Sequence, residues 1–143
     1  PEGLFQPVLD YGRGYCQYGC TACGDACPTG AIESLEPGEK QLVSIGKARF
    51  LRRNCIVRKY GTACGACSEH CPTQAMRMVP FRGSLTIPEL DTAVCLGCGA
   101  CEYACPAEPK AVTVSGLAVH GKIRPVSGGN EGPTVAPLED FPF

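Results

Sequence analysis

The pattern C-x2-C-x3-C-P occurs three times in 143 residues, at Cys20 to Pro28, Cys64 to Pro72 and Cys98 to Pro106. One more cysteine precedes each occurrence, Cys16, Cys55 or Cys95, so all twelve cysteines fall into three runs of four. Four residues make about one helical turn, so the last two thiols of each run project from one side of a short helix. The proline that follows blocks further helix and turns the chain away. The earlier cysteines lie in glycine-containing loops, suited to wrapping a compact ligand with bare backbone. Strand-like stretches follow at 31–36, 75–79 and 111–116, and further extended segments at 41–51 and 84–90 lead into the next run. The repeating unit is therefore loop, helical turn, strand, strand.

Such a chain has little else to build a core from. It contains no Trp and only five Phe, so something bound by the cysteines is expected to supply much of the interior. Met76 and Met78 sit in one of the strand-like stretches and read as packing residues. Glycine and proline are abundant, 18 and 13 residues, but fall between apolar segments rather than in one low-complexity tract, as in a folded chain. No stretch reaches the roughly 20 apolar residues needed to span a bilayer. The sequence begins at Pro1 rather than Met, and a leader or upstream segment is expected before it. A formal charge of −1 argues against a general nucleic-acid binder. The charge is uneven, however: Lys47, Arg49, Arg52, Arg53, Arg58 and Lys59 are six of the thirteen basic residues, forming either a solvated strand face or a docking patch.

Three chemistries compete for the thiols. A disulfide scaffold fits an even cysteine count but does not require three copies of one spacing ending in Cys-Pro. Zinc uses four cysteines as separated C-x2-C pairs and has no use for a third in the same loop. Iron–sulfur clusters remain. The third run, Cys95, Cys98, Cys101 and Cys105, is the C-x2-C-x2-C-x3-C-P pattern without deviation, in which three thiolates hold one [4Fe–4S] cube and the fourth reaches a neighbouring cube. The first run, Cys16, Cys20, Cys23 and Cys27, departs by one residue at its start; the second, Cys55, Cys64, Cys67 and Cys71, carries the insertion IVRKYGTA.

With these runs in view, the chain resembles the bacterial ferredoxin-type polyferredoxins, including the iron–sulfur proteins that accompany periplasmic nitrate reductase and methylamine utilisation. The resemblance covers roughly residues 10–125 and is most specific in CPTGAI, NCIVRKYGTACGACSEHCP and CLGCGACEYACP followed by KAVTVSGLAVH. It implies an α+β, ferredoxin-like fold of short hairpins and helical turns, with an additional cluster-binding unit. It also implies four cysteine runs, of which these match the last three, with a further run upstream of Pro1. In four-run relatives the two middle runs exchange fourth cysteines, and so do the outer two. On that scheme one cube takes Cys16, Cys20, Cys23 and Cys71, another takes Cys55, Cys64, Cys67 and Cys27, and the third run's cube is labile or incomplete because Cys105 lacks its partner. The expected organisation is a dicluster unit at 1–84, a third-run unit at 85–121 and a tail at 122–143 that wraps the surface or stays mobile.

Twelve thiolates supply up to three [4Fe–4S] cubes with no ligand left over. A saturated cube has no open iron for substrate, unlike a catalytic metal site, which leaves outer-sphere one-electron transfer. No dinucleotide or P-loop motif and no nucleophilic triad is present, so no catalytic residue is assigned. With about −2 per oxidised cube and its thiolates, the loaded chain carries about −7, which Arg52, Arg53, Arg58 and Lys59 around Cys55 would offset locally. His70 could tune a cube or stand as a spectator, and His120 has no role; Tyr15, Tyr18 and Tyr103 shield cubes or pack. The reading is an electron carrier or wiring subunit that is not itself an enzyme. Its partners are redox proteins, with a membrane-bound quinone-linked subunit as a candidate, and no nucleic acid or small-molecule substrate is expected. The resemblance implies the periplasm or the periplasmic face of the membrane; the cytoplasm is the alternative location. Two other functions stay open: a non-redox module in which clusters hold the fold or sense oxidants, and the iron–sulfur domain of a larger oxidoreductase complex.

Overall fold

The computed structural model describes residues 8–125. Five helical turns and four strands alternate along them: α1 (Ala22–Asp25), α2 (Pro37–Lys40), β1 (Val43–Phe50), a 3-10 turn (Arg52–Asn54), α3 (Ile56–Tyr60), α4 (Ala66–Glu69), β2 (Met76–Arg82), β3 (Leu85–Leu90), α5 (Ala100–Tyr103) and β4 (Val112–Lys122). The expected helical turn in each run is present as α1, α4 and α5, each just ahead of its Cys-Pro. Among the described residues no helix is long and apolar enough to cross a membrane.

The strands form two antiparallel pairs, β1 with β4 and β2 with β3. The β2–β3 hairpin joins the second run to the third, while β1 and β4, which flank those two runs in sequence, close on each other. Residues 43–123 are thus one α+β frame around the second and third runs. The boundary expected at residue 84 falls in the hairpin turn, where Gly83 takes φ +55°. The unit standing outside the frame is the first run. Its segment 31–36, expected as a strand, is not one. It pairs with no strand among the described residues; β1 is hydrogen-bonded to β4, with Lys47 opposite Ser115 and Phe50 opposite Val112.

β1 has an inward face of small residues, Ser44, Gly46 and Ala48, all buried. Small side chains let the strand backbone lie directly on the loop of the third run. Opposite Ile45, β4 carries extra residues between Gly116 and Gly121, and there the amides of Ile45 and Gly46 turn instead to Leu96 O at 2.8 and 3.3 Å. The bulge in one sheet edge is what frees the strand to hold the loop.

Two apolar clusters form the core, and both contain cysteines. Cys67, Cys95 and Cys101 pack with Ala48, Ala75, Met76, Val94 and Val112; Cys55 and Cys105 pack with Val57, Ile87, Ala107 and Ala111. Met76 is 1% exposed, as its packing role requires. Most of the expected tail lies outside the described residues. Its first residues are fixed: Lys122 ends β4, the amide of Ile123 donates to Leu42 O, and Arg124 pairs with Asp91 at 3.3 Å.

Candidate functional site

The four cysteines of the second run do not stay together. Cys71, which follows α4, turns to the third run: Cys71, Cys95, Cys98 and Cys101 line a single cavity, with Pro72, Gly97 and Gly99 among its other walls. Cys105, which follows α5, turns the other way. It lies with Cys55 and Cys64 in the second core cluster and beside Cys67. The second and third runs therefore exchange their last cysteines. The exchange expected between the first and second runs is not what the fold makes, because β1 to β4 clamp the second run to the third and leave Cys27 outside the frame.

The proton affinities of the thiols report the same two groups. Burial, with Cys64, Cys105 and Cys55 alongside, pushes Cys67 up to about 12. Burial, with Cys98, Cys71, Cys95 and Cys67 alongside, pushes Cys101 up to about 12, and burial raises Cys98. A thiolate is costly in such a place unless a cation joins it. Cys67 and Cys101 belong to different groups yet sense each other, because α4 packs against α5. Those two turns are the seam between the groups.

The loop of the third run is held by its carbonyls. Cys95 O accepts from Ser44 Oγ at 2.9 Å and Lys47 Nζ at 3.0 Å, Leu96 O from the β1 amides, Gly97 O from Tyr11 Oη at 2.9 Å, and Cys98 O from the amide of Cys16 at 2.9 Å. The amides of Leu96, Gly97, Cys98 and Gly99 donate to no backbone carbonyl among the described residues. Gly97 and Gly99 take φ +72° and +85°, and this run of uncommitted amides is the kind of concave nest that receives anions, iron–sulfur clusters included. Sulfur donors in two sets of four, with free amides beside one of them, match the donor chemistry of an anionic [4Fe–4S] cube. A single zinc would draw its thiolates to about 3.8 Å from one another, from ~2.3 Å bonds at tetrahedral angles. Among the described residues no three His, Cys, Asp or Glu side chains converge on a single-ion position.

Residues 62–108 match the family described as the 4Fe-4S dicluster domain. They form a 4Fe-4S dicluster domain. The match covers Cys64 to Cys105, the seven cysteines that follow the insertion, and the fold places Cys55 beside Cys64, Cys67 and Cys105. The clusters are of the [4Fe–4S] type. The chain is 33% identical over 116 residues to the methylamine utilization ferredoxin-type protein MauM of Methylobacillus flagellatus, covering 71% of this chain and 49% of that protein. It is 28% identical over 115 residues to the ferredoxin-type protein NapF of Escherichia coli K12, covering 80% of this chain and 64% of NapF. It is also 29% identical over 105 residues to the ferredoxin-type protein NapG of Haemophilus influenzae, covering 64% of this chain and 36% of NapG. The chain thus spans about half the length of the MauM it matches. No solved structure matches it.

The first run lies against the dicluster domain at its third-run end. Besides the Cys16–Cys98 and Tyr11–Gly97 hydrogen bonds, the rings of Tyr15 and Tyr103 meet in a tilted contact, centroids 5.4 Å apart and planes at 48°. Cys20 and Cys23 are exposed, and Cys16 and Cys27 are partly so. A hydrogen bond with Thr29 Oγ1 and another from the Ile32 amide lower Cys27 to about 7. The unit left without an exchange partner among the described residues is the first run, not the third. His70 Nδ1 lies 2.9 Å from Ala66 O. Sequence reasoning missed Ser44, Lys47 and Tyr11 as supports of the site; the alternating small residues of β1 were the available signal for the first of them.

Proposed function

We propose that the chain is a single-electron carrier or wiring subunit. In it, Cys55, Cys64, Cys67 and Cys105 hold one [4Fe–4S] cube, and Cys71, Cys95, Cys98 and Cys101 hold a second. The first run, Cys16, Cys20, Cys23 and Cys27, serves a third, exposed cube next to the second. The crossed exchange of Cys71 and Cys105 carries this reading, since two complete sets of four sulfur donors follow from it. Each cube supplies one-electron oxidation and reduction when bound. The residues of the chain do the rest. β1 and Lys47 hold the third-run loop, apolar side chains of both core clusters exclude water, and α4 against α5 brings the two sets together at Cys67 and Cys101. The contact of Cys16 with Cys98 extends the series to the first run, giving a linear order with open ends at Cys20 and Cys23 and at the α3 face. A saturated donor set offers no position for substrate, which supports a carrier rather than a catalyst.

Redox proteins are its proposed partners, a membrane-bound quinone-linked subunit among them. The periplasmic face of the membrane is its proposed location, on the resemblance of the cysteine runs. A twin-arginine leader or membrane anchor encoded upstream of Pro1 supports that location, and a start codon just upstream with no leader contradicts it. The redox reading is tested on anaerobically purified protein by iron and acid-labile sulfide analysis and by reversible dithionite reduction followed by electron paramagnetic resonance. About four irons and four sulfides per cube, with a signal that appears on reduction, are expected. Zinc without sulfide, or cubes that accept no electron, would contradict it.

A further inference from the structure

We propose that the face built by the 3-10 turn, α3 and the β2–β3 turn is the docking surface for an acidic redox protein; the proposal rests on the electron-carrier reading above. Between Lys40 and Ser68 the sequence has seven cations and no acid. Lys40 and Lys47 are committed to backbone carbonyls. Arg52, Arg53, Arg58 and Lys59 are exposed, as is Arg82 at the end of β2, and none of the five has an acidic partner within 4.0 Å among the described residues.

These cations sit beside one particular set of thiols. Arg52 and Arg82 flank the ring of Phe81 at 5.3 and 5.0 Å, and Phe81 packs on the cluster that contains Cys55 and Cys105. The extra residue of the β2 bulge, Phe81, thus joins the hairpin turn to the 3-10 turn. Lys59 lies 4.9 Å over Tyr60, which is 65% exposed. Arginine and tyrosine, an apolar anchor under exposed cations, are the residues that interfaces concentrate.

The insertion supplies half of this face. Eight residues separate Cys55 from Cys64, where the third run manages with two. Holding thiols does not require them. They fold as α3, closed by Gly61 at φ +67° and anchored by Val57 at 1% exposure, and they present Arg58, Lys59 and Tyr60 outward. The opposite end has the opposite sign: residues 8–39 hold Asp10, Asp25, Glu33, Glu36 and Glu39 against Arg13 alone. An acidic partner is steered to the α3 end and repelled from the first run. A lipid surface would also be attracted by the charge, but this patch covers the outer wall of one donor set, where a protein redox centre gains the shortest path for an electron.

The test compares wild type with Arg58→Glu/Lys59→Glu, and with Arg58→Ala/Lys59→Ala should the reversal disturb assembly. The probes are plastocyanin, an acidic copper protein, and cytochrome c, a basic haem protein. In the plastocyanin reaction one electron leaves a dithionite-reduced cube and converts Cu(II) to Cu(I), with no atom transferred. At about 10 mM salt, where screening is weak, the reversal should slow electron transfer to plastocyanin and weaken its binding by calorimetry at least ~10-fold. Transfer to cytochrome c should be unchanged or faster. At about 200 mM salt the difference should collapse. Plastocyanin binding within twofold of wild type, with cube signals intact, overturns the proposal. So does sedimentation with phosphatidylglycerol vesicles that the reversal abolishes while plastocyanin binding stays equal. Absence of any dithionite-induced signal in wild type would instead defeat the electron-carrier reading, and the calorimetry would still judge the surface.

Discussion

Replacing Gly97 by alanine puts a methyl group 2.2 to 2.3 Å from the C, Cα and O atoms of Gly46, where the β1 backbone crosses the third-run loop. Neither backbone is the flexible end of a side chain, so the strand and the loop must separate. That separation breaks the hydrogen bonds from Ile45 and Gly46 to Leu96 O, worth about 1 kcal/mol each. Gly97 also has φ +72°, which costs alanine another ~1–2 kcal/mol. The sum is ~3–4 kcal/mol. Gly61→Ala is the control: its φ is +67° but nothing lies within 4 Å of the new methyl, so only the conformational cost of ~1–2 kcal/mol applies. Anaerobic urea titration followed by loss of cluster absorbance reads both. With a slope of ~1.5 kcal/mol per molar, Gly97→Ala should lower the midpoint by ~2–3 M and Gly61→Ala by ~1 M. Because Gly97 lines the cavity of Cys71, Cys95, Cys98 and Cys101, the former should also purify with less iron. Equal midpoints and equal iron in the two variants would refute the close approach of β1 to the loop.

Ser44→Ala removes one buried hydroxyl bonded to Gly46 O and Cys95 O, and should cost ~1–2 kcal/mol in the same titration. Lys47→Met takes a positive charge from Cys95 O, and should lower the potential of the adjacent cube by on the order of tens of mV in a redox titration, leaving the other dicluster cube in place. Cys67 and Cys101, held at about 12, keep their protons at neutral pH in the metal-free fold and must lose them to bind iron. Cluster assembly therefore releases protons, and reconstitution should become more favourable as pH rises from 7 to 8.5; affinity that is flat or falling over that range contradicts it.

The helical turn of each run, four of the five extended segments and the iron–sulfur chemistry were legible because each is written in local spacing: four residues between paired thiols, proline after the second, alternation in the strands. Segment 31–36 has the same alternation and is not a strand: a strand needs a partner, which local alternation does not report, and the partner β1 has among the described residues is β4, about seventy residues away in sequence. The exchange of Cys71 and Cys105 was illegible for the same reason. Any two runs satisfy the spacing rule, and only the closure of β1 on β4 selects the second and third. The insertion was visible as a departure from pattern, but its outward Arg58, Lys59 and Tyr60 follow from the anchoring of Val57 and the turn at Gly61.

The most direct test of the crossed dicluster arrangement is the electron paramagnetic resonance spectrum, with iron quantified, of single Ser variants of the fourth cysteines. Cys105→Ser should leave the same residual spectrum as Cys64→Ser, and Cys71→Ser the same as Cys98→Ser, because each pair shares a donor set; Cys27→Ser should leave both dicluster signals intact. If Cys105→Ser instead matches Cys98→Ser, or Cys27→Ser abolishes the signal lost in Cys64→Ser, the second and third runs do not exchange ligands and the account is wrong.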